Sequence, residues 1–367
     1  MAGAGGAWPR AMKEKATSML SFVYTGLPAR VVFGSGTLAQ LGAELERLGC
    51  KRALLLASRR HRAAGEAAAS GLVAAVFEDA AMHTPVDVTE RALAVLRDRQ
   101  ADGIVAIGGG SAVGLAKAIA LRTDLPQIVV PTTYAGSEMT PILGQTEQGI
   151  KSTLRSPKVL PEVVIYDVDL TLGLPPALSV TSGLNAMAHA VEALYAEARN
   201  PVTSLMAEEG IRALGRALPR IVARPADAEA RSDALYGAWL CAVCLGTVGM
   251  ALHHKLCHVL GGTFGLPHAE THSVILPHAM AYNEPAAPEA AARIAGALGT
   301  EGAARGLHDL AVRLGAPLSL KDLGMPEDGI DRAVALVMKD SYWNPRPMDG
   351  QAIRDLIGRA WAGLPPA

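Results

Sequence analysis

The sequence has no marked excess of charge, no long apolar run and few cysteines. Its 34 basic and 35 acidic residues form no long run of one sign, so it lacks the basic surface that binds nucleic acids or anionic membranes. No stretch reaches the roughly 18 continuous apolar residues of a spanning helix. The four cysteines form no secreted disulfide pattern. These absences predict a cytoplasmic protein that acts on a small molecule.

Two further segments carry little chemical information. Cys241 and Cys244 have C-x-x-C spacing, but they lie in the apolar helical run ALYGAWLCAVCLGTVGMAL, which is more typical of packing than of redox chemistry. Residues 1–20 are rich in glycine and alanine and then basic, and no apolar core of a signal peptide follows. We predict that residues 1–20 are a disordered extension.

From residue 30 to about 169, short apolar runs typical of strands alternate with runs typical of helices. The apolar runs are continuous rather than alternating, as in strands that are buried on both faces. Alternating strands and helices predict a parallel sheet with right-handed crossovers. The predicted strands are RVVFG, RALLLAS, GIVAIGGG, QIVVPTT and EVVIYD, whereas the segments between them, AAGEAAASGLVAAVF included, are predicted to be helical.

The pattern changes after Leu174, where Pro175 and Pro176 interrupt the chain and helical periodicity continues to the end. We therefore predict an α/β dinucleotide-binding domain over residues 21–173. An all-α substrate and catalytic domain is predicted over residues 174–367.

Two glycine-rich or hydroxyl-rich segments follow predicted strands. In IVAIGGGSAVGLAK, the glycines allow close approach of a pyrophosphate, and the N-terminal amides of the next helix favour its charge. The segment VVPTTYAGSEMT places hydroxyl groups at the end of a second buried strand, where open α/β sheets bind ligands. Together they predict a dinucleotide site with the candidate residues Gly109, Gly110, Ser111, Thr132, Thr133 and Ser137.

The histidines form the strongest candidate site. His254 and His258 are four residues apart, as are Asn185 and His189, so each pair shares one helix face. With His268 they resemble a zinc or iron site, except that position 185 offers a neutral amide where an anionic ligand is usual. We interpret His61, His83, His253 and His308 as structural residues, and for His272 and His278 the sequence leaves both roles open.

Several motifs occur in the order found in the iron-dependent (group III) alcohol dehydrogenases. These are GGGSxxxxAK, a shortened PTTxxGSE, LRSPKVLPEVVIYDVDLT, SGLNAMAHAVEALY, HxxxHxLGG followed by PH, and NPRP. The sequence resembles this family over residues 22 to 360. The resemblance implies a dehydroquinate synthase-like architecture with the active site between its two domains. It also implies metal-ligand positions at Asn185, His189, His254 and His268, with His258 beside the nicotinamide.

Three departures from the family pattern point to one of its branches. Asn185 replaces the usual aspartate ligand, Gly114 replaces the aspartate of GGGSxxD, and PTTYAGSE is one residue short. These departures resemble the branch that reduces the C=C bond of maleylacetate to give 3-oxoadipate during bacterial degradation of aromatic compounds. We expect the same activity here with no essential metal, because the enolate formed from a conjugated ketone can be held by hydrogen-bond donors.

The resemblance suggests roles for individual side chains. His258 is our first candidate for the proton donor and His254 the second, while His189 and His268 complete the catalytic set. Asn185, Lys255 and Arg346 are candidates for binding the dicarboxylate substrate.

Cofactor preference is indicated at the end of the second predicted strand. The family often has an aspartate there for the adenosine ribose, whereas this chain has Ser58 followed by Arg59 and Arg60. Since a 2′-phosphate is not repelled, we expect both NADH and NADPH to be used. The resemblance adds Lys151 to the cofactor-binding candidates.

Three alternatives remain open from the sequence. The nearest is a metal-dependent alcohol or aldehyde reductase of the same family, because three histidines can hold zinc. A lyase resembling dehydroquinate synthase would need a basic phosphate-binding cluster, and a nucleotide-binding protein without catalysis would not need so many polar groups in one cleft.

The apolar segment FVYTGLPARVVFG predicts a homodimer that forms through an exposed edge of the sheet.

Overall fold

The computed structural model describes residues 22–27, 29–339 and 343–367, so the predicted extension over residues 1–20 lies outside the described residues. In the described part there are eight strands: β1 (Arg30–Gly34), β2 (Ala53–Ala57), β3 (Val73–Phe77), β4 (Gly103–Gly108), β5 (Gln127–Pro131), β6 (Ile142–Glu147), β7 (Ile150–Arg155) and β8 (Val163–Asp167). Four helices lie among them: α1 (Leu41–Arg47), α2 (Arg59–Ala68), α3 (Val86–Asp98) and α4 (Gly110–Thr123).

Six strands form one parallel sheet in the order β1-β8-β5-β4-β2-β3. Strands β2, β5 and β8 are buried along their whole length, which explains their continuous apolar sequences. The chain passes from β2 to β3 toward one edge and from β4 to β5 toward the other. Such a reversal leaves a ligand crevice at the carboxyl ends of the strands. The predicted α/β architecture is confirmed.

Two parts of this domain differ from the sequence prediction. The segment predicted to be wholly helical contains β3, because Ser70 and Gly71 adopt left-handed backbone conformations with φ of 51° and 82° and separate α2 from the strand. Alanines within the edge strand β3 hide it, since they are typical of helices. The hairpin formed by β6 and β7 was also not predicted.

The rest of the described chain is helical, as predicted. The helices are α5 (Pro176–Tyr195), α6 (Pro201–Ala223), α7 (Ala228–Thr247), α8 (Leu252–Phe264), α9 (His268–Asn283), α10 (Pro288–Leu298), α11 (Ala303–Arg313), α12 (Gly329–Lys339) and α13 (Gly350–Ala362). Pro176 occupies the first turn of α5, where its missing N–H costs nothing. The predicted domain boundary near residue 173 falls between β8 and α5.

Helix α5 forms the centre of the helical domain and is almost entirely buried. It packs against α6, α7 and α9, so polar residues on α5 can be held rigidly within the domain. Across the described residues, no single helix is long and apolar enough to cross a membrane; α7 and α8 reach that length only together and meet at a bend of 94°.

The four cysteines are buried and free, and they belong to three separate cores. Cys50 packs in the core beneath the sheet. Cys241 and Cys244 pack in the core around α5 and α7, and Cys257 belongs to the core of the C-terminal helices. This arrangement agrees with the packing interpretation of the C-x-x-C spacing.

Candidate active site

A cavity of about 410 Å³ lies between the two domains. The α/β domain contributes the loop before α3, the start of α4, the segment after β5 and the hairpin. The helical domain contributes α5, α7, α8 and the first residue of α9. The structure thus brings together the predicted residues Asn185, His189, His254, His258 and His268, and the predicted cofactor residues Gly110 and Ser137 line the same cavity.

Asn185 and His189 lie one turn apart on α5 and are both 3% exposed. The ring of His189 lies 5.2 Å from that of His254 on α8, measured between centroids. The Asn185 Oδ1, His189 Nδ1 and His254 Nε2 atoms are buried and have no hydrogen-bond partner among the described residues. Buried polar atoms without partners are costly, so this part of the cavity is built to receive a polar ligand.

The ring of His254 is fixed from behind by the buried carboxylate of Glu192. Glu192 Oε2 accepts from His254 Nδ1 at 2.6 Å and from the Ala251 backbone N–H at 3.0 Å. Its other oxygen accepts from the His253 backbone N–H at 2.8 Å. The carboxylate therefore keeps a proton on Nδ1 and turns Nε2 of His254 toward the cavity.

Sequence reasoning missed Glu192, although its spacing was informative. It lies seven residues after Asn185 and three after His189, which places all three on one face of α5. A buried carboxylate among apolar residues is unusual unless it has partners. Here its three donors come from Ala251, immediately before α8, and from the first turn of α8.

Burial lowers the pKa of His189 well below its usual range, and the nearby imidazoles of His254 and His268 lower it further. His189 is therefore neutral near pH 7. Behind the cavity, His253 Nε2 and His272 Nδ1 lie 3.0 Å apart in a buried pair. Burial also lowers the pKa of both rings well below the usual range, which supports the structural interpretation of His253.

The predicted phosphate-binding residues meet at the ends of β4 and β5. The Thr132 N–H donates to Gly108 O at 3.1 Å, and a Cβ on Gly109 would lie 3.0 Å from Cγ2 of Thr133. A side chain at this position would crowd Thr133, so glycine favours the close approach of the two segments. The candidate residues at this edge are Gly109, Gly110, Ser111, Thr132, Thr133 and Ser137, and helix α4 starts among them.

Lys117 on α4 supports the floor of the cavity. Its buried Nζ donates to the carbonyl oxygens of Ser137, Thr140 (2.7 Å) and Ile142 (2.9 Å), and to the Thr140 hydroxyl (2.9 Å). Burial lowers the Lys117 pKa to about 7. These contacts connect α4 to the segment between β5 and β6, so Lys117 shapes the cavity and has little capacity left for a ligand.

Other predicted residues lie elsewhere. The Arg346 guanidinium packs over the Tyr282 ring at 4.3 Å and donates to the Tyr282 carbonyl, and it lines a second cavity with His278. Lys255 is buried on α8 and does not line the histidine cavity. The structure does not bring either side chain to Asn185. For Lys151, only the backbone position on β7 is described.

Ser58 lies at the end of β2, as predicted for a cofactor residue. It is exposed, and its Oγ lies 3.5 Å from Nδ1 of His61. Arg59 is 93% exposed and pairs with Glu78 at 3.3 Å. Arg60 instead donates to the carbonyl oxygen of Gly173 at 3.4 Å, so both arginines that follow Ser58 have partners in the protein.

The structural interpretation of His83 requires correction, because His83 is exposed and lines the cavity. His83 and Thr84 have φ of 62° and 48°, a left-handed conformation that costs roughly 1 to 3 kcal/mol for each non-glycine residue. The Thr84 side chain packs against Gly114, where a Cβ would lie 2.3 Å from Oγ1. The glycine at position 114 therefore makes room for this strained loop.

Comparison with known proteins agrees with this architecture. The chain matches the iron-containing alcohol dehydrogenase family over residues 28–168 and the C-terminal domain of Fe-containing alcohol dehydrogenases over residues 179–361. It is 57% identical to the maleylacetate reductase of Rhizobium sp. strain MTP-10005, covering 95% of this chain and 100% of the relative. It is 55% identical to that of Sphingobium indicum, covering 95% and 99%.

Solved structures give the same result. The maleylacetate reductase of Agrobacterium tumefaciens matches with a TM-score of 0.92 at 57% identity, covering 95% of this chain and 100% of that one. A 1,3-propanediol oxidoreductase matches with a TM-score of 0.88 at 28% identity, covering 93% and 100%. The chain belongs to the iron-containing alcohol dehydrogenase family.

Proposed function

We propose that the protein reduces the C=C bond of maleylacetate to give 3-oxoadipate, using NADH or NADPH. The observation that carries the proposal is the neutral Asn185 amide, 3% exposed, among the imidazoles of an interdomain cavity. The maleylacetate reductases found in the comparison, at 50% to 57% identity over 95% of the chain, support it. In bacteria this reaction belongs to the degradation of aromatic compounds, and we propose a cytoplasmic enzyme.

The nicotinamide, when bound, supplies a hydride to the alkene carbon farther from the ketone, and the alkene electrons move onto the ketone oxygen as an enolate. Hydrogen-bond donors beside Asn185 and His189 hold that oxygen. Loss of one donor of this kind typically raises the activation free energy by about 3 kcal/mol. A proton then reaches the carbon next to the ketone, and the C=O bond re-forms. His258 is our proposed donor because it lines the cavity and is exposed, and His254 is the alternative.

The family name implies a metal ion, and three imidazoles can hold zinc, but no ligand here neutralises the charge of the ion. The four motif positions, Asn185, His189, His254 and His268, supply three imidazoles and an amide, with no anionic ligand. The nearest carboxylate, Glu192, already accepts hydrogen bonds from three donors. A divalent ion would be desolvated in the cavity without a neutralising ligand. We propose that the reaction requires no metal.

One assay tests the activity and the metal requirement together. Oxidation of NADH is followed with maleylacetate before and after treatment with a strong chelator, and the metal content of both samples is measured. We expect equal turnover in the two samples. Absence of turnover in both would contradict the proposed reaction. Activity lost to the chelator and restored by zinc or iron would instead support a metal-dependent reductase.

We also propose a homodimer formed through the edge of the sheet. Strand β1 is one of the two edge strands of the sheet, and the segment before it exposes Phe22 (48%), Val23 (87%) and Tyr24 (37%). An apolar segment beside an unpaired strand edge favours pairing with a second copy across a two-fold axis. Sedimentation equilibrium of the full chain tests this, and a monomer at micromolar concentration would contradict it.

A further inference from the structure

The cavity contains few cations for a substrate with two carboxylates. Among the described residues that line it, no arginine occurs, and the side chains able to carry positive charge are Lys117 and five histidines. Lys117 already donates to four oxygen atoms of the protein. His189 is buried and neutral, and His254 donates to Glu192. The imidazoles of His83, His258 and His268 are therefore the remaining ring donors in the cavity that could recognise a carboxylate.

His83 is the imidazole that the nucleotide-binding domain contributes to this cavity. It lies in the loop between β3 and α3, so it lines the cavity from the opposite domain to the histidines of α5, α8 and α9. Its side chain is exposed. An imidazole N–H can donate to a carboxylate in either the neutral or the protonated state of the ring.

The backbone next to His83 is held on both sides. Thr146 N–H on the hairpin donates to the Thr84 carbonyl at 3.2 Å, and Pro85 forms an isolated bridge with the same residue. On the other side, Thr84 packs against Gly114 of α4. Two successive left-handed non-glycine residues are rare, and strain of this kind is concentrated at ligand-binding sites.

We infer that His83 is a substrate-binding residue, whose imidazole donates to one carboxylate of the dicarboxylate substrate from the nucleotide-domain wall of the cavity. The inference rests on the proposed function and adds a specificity-determining contact to it. The loop keeps His83 at the cavity at the expense of an unfavourable backbone conformation. The same chemistry could serve the diphosphate of the cofactor, and the experiment separates these two ligands.

Steady-state kinetics of His83→Gln and His83→Ala test the inference. We expect KM for maleylacetate to rise about 10-fold to 100-fold in His83→Ala, the effect of losing one hydrogen bond to a charged group. KM for NADH and the thermal unfolding midpoint should not change. His83→Lys keeps a donor and should recover most of the affinity. The matched control is Met82→Ala, which alters a 65% exposed side chain in the same loop and should leave all constants unchanged.

Each of the other outcomes would contradict the assignment of His83 in a different way. An unchanged KM for maleylacetate in His83→Ala would overturn the assignment of His83 while leaving the proposed reaction intact. A rise in KM for NADH instead would assign the imidazole to the cofactor and overturn the inference. An equal effect of Met82→Ala would show a general disturbance of the loop and also overturn it. Wild-type protein that does not reduce maleylacetate would contradict the proposed function and the inference together.

Discussion

The carboxylate of Glu192 and Nδ1 of His254 are joined by a buried hydrogen bond of 2.6 Å. Both side chains are nearly inaccessible, with exposed fractions of 0% for Glu192 and 6% for His254. The pair defines which ring nitrogen of His254 faces the cavity. It also connects α5 to α8, the two helices that carry most of the site.

Replacing this carboxylate should impair catalysis more than folding. Glu192→Gln keeps the shape but weakens the hydrogen bonds from α8, and we expect kcat to fall about 10-fold to 100-fold, as for other residues that orient a functional histidine. The pH profile of kcat should also shift, which a purely structural role would not cause. Glu197→Gln, at an exposed position after α5, is the control. An unchanged profile in Glu192→Gln would contradict this role.

Asn185→Asp tests whether the amide prevents metal binding. The substitution adds the missing anionic ligand to three imidazoles, so we expect the variant to retain about one zinc ion per chain after dialysis. Its kcat/KM for maleylacetate should fall, because a carboxylate repels the developing enolate. Asn185→Leu removes the amide without adding charge and should bind no zinc. Equal zinc content in the wild type and Asn185→Asp would contradict the prediction.

Cofactor selectivity should be weak in the wild type and strong in Ser58→Asp. We expect the wild-type kcat/KM values for NADH and NADPH to differ by less than about a hundredfold, or about 2.7 kcal/mol. In Ser58→Asp the new carboxylate repels the 2′-phosphate, so NADPH use should fall while NADH use persists. Arg59→Gln should weaken NADPH use alone. A wild type that rejects NADPH would disprove the prediction.

Gly114 and Thr84 should be energetically coupled. Gly114→Ala places a Cβ 2.3 Å from Thr84 Oγ1, and such overpacking should lower the free energy of unfolding by about 1 to 3 kcal/mol. Adding Thr84→Ala removes the contacting oxygen and should restore most of that loss. Thr84→Ser retains the oxygen and should not. If the effects of Gly114→Ala and Thr84→Ala on the free energy of unfolding, measured with denaturant, were additive, the contact would be contradicted.

The protein should lose stability as pH falls from about 6.5 to 4. Burial, together with the nearby His308 and Arg359, lowers the His278 pKa from 6.5 to about 4. In this window the unfolded chain binds the proton and the folded chain does not, so this one group contributes about 3 kcal/mol that is lost on acidification. In His278→Gln, the free energy of unfolding measured with denaturant should depend less on pH than in the wild type. His61→Gln, half-buried on α2, should reduce this dependence less.

Most of the architecture followed from sequence because the physical signals are local. The apolar runs of β2, β4, β5 and β8 predict buried parallel strands. His189 lies four residues after Asn185, and His258 lies four residues after His254, so each pair is predicted to share one helix face. In contrast, β3 was missed because alanines in an edge strand resemble a helix. The hairpin of β6 and β7 depends on tertiary contacts with the loop before α3.

The site was harder to predict where a residue acts through distant partners. Glu192 resembles a solvated helix residue until the start of α8 and the residue before it provide its three donors. His83 resembles any loop histidine until the left-handed backbone and Gly114 place it at the cavity. Arg346 was expected to bind a carboxylate, but the Tyr282 ring and carbonyl engage its guanidinium. These roles depend on contacts between residues far apart in sequence.

The buried cysteines give the protein four internal reporters of opening. Cys50, Cys241, Cys244 and Cys257 belong to three different cores, and each is at most 3% exposed. A thiol reagent can modify them only when the surrounding core opens, so each modification rate measures the local unfolding of one region. Labelling in the presence and absence of cofactor would therefore show which core a ligand closes, without any engineered probe.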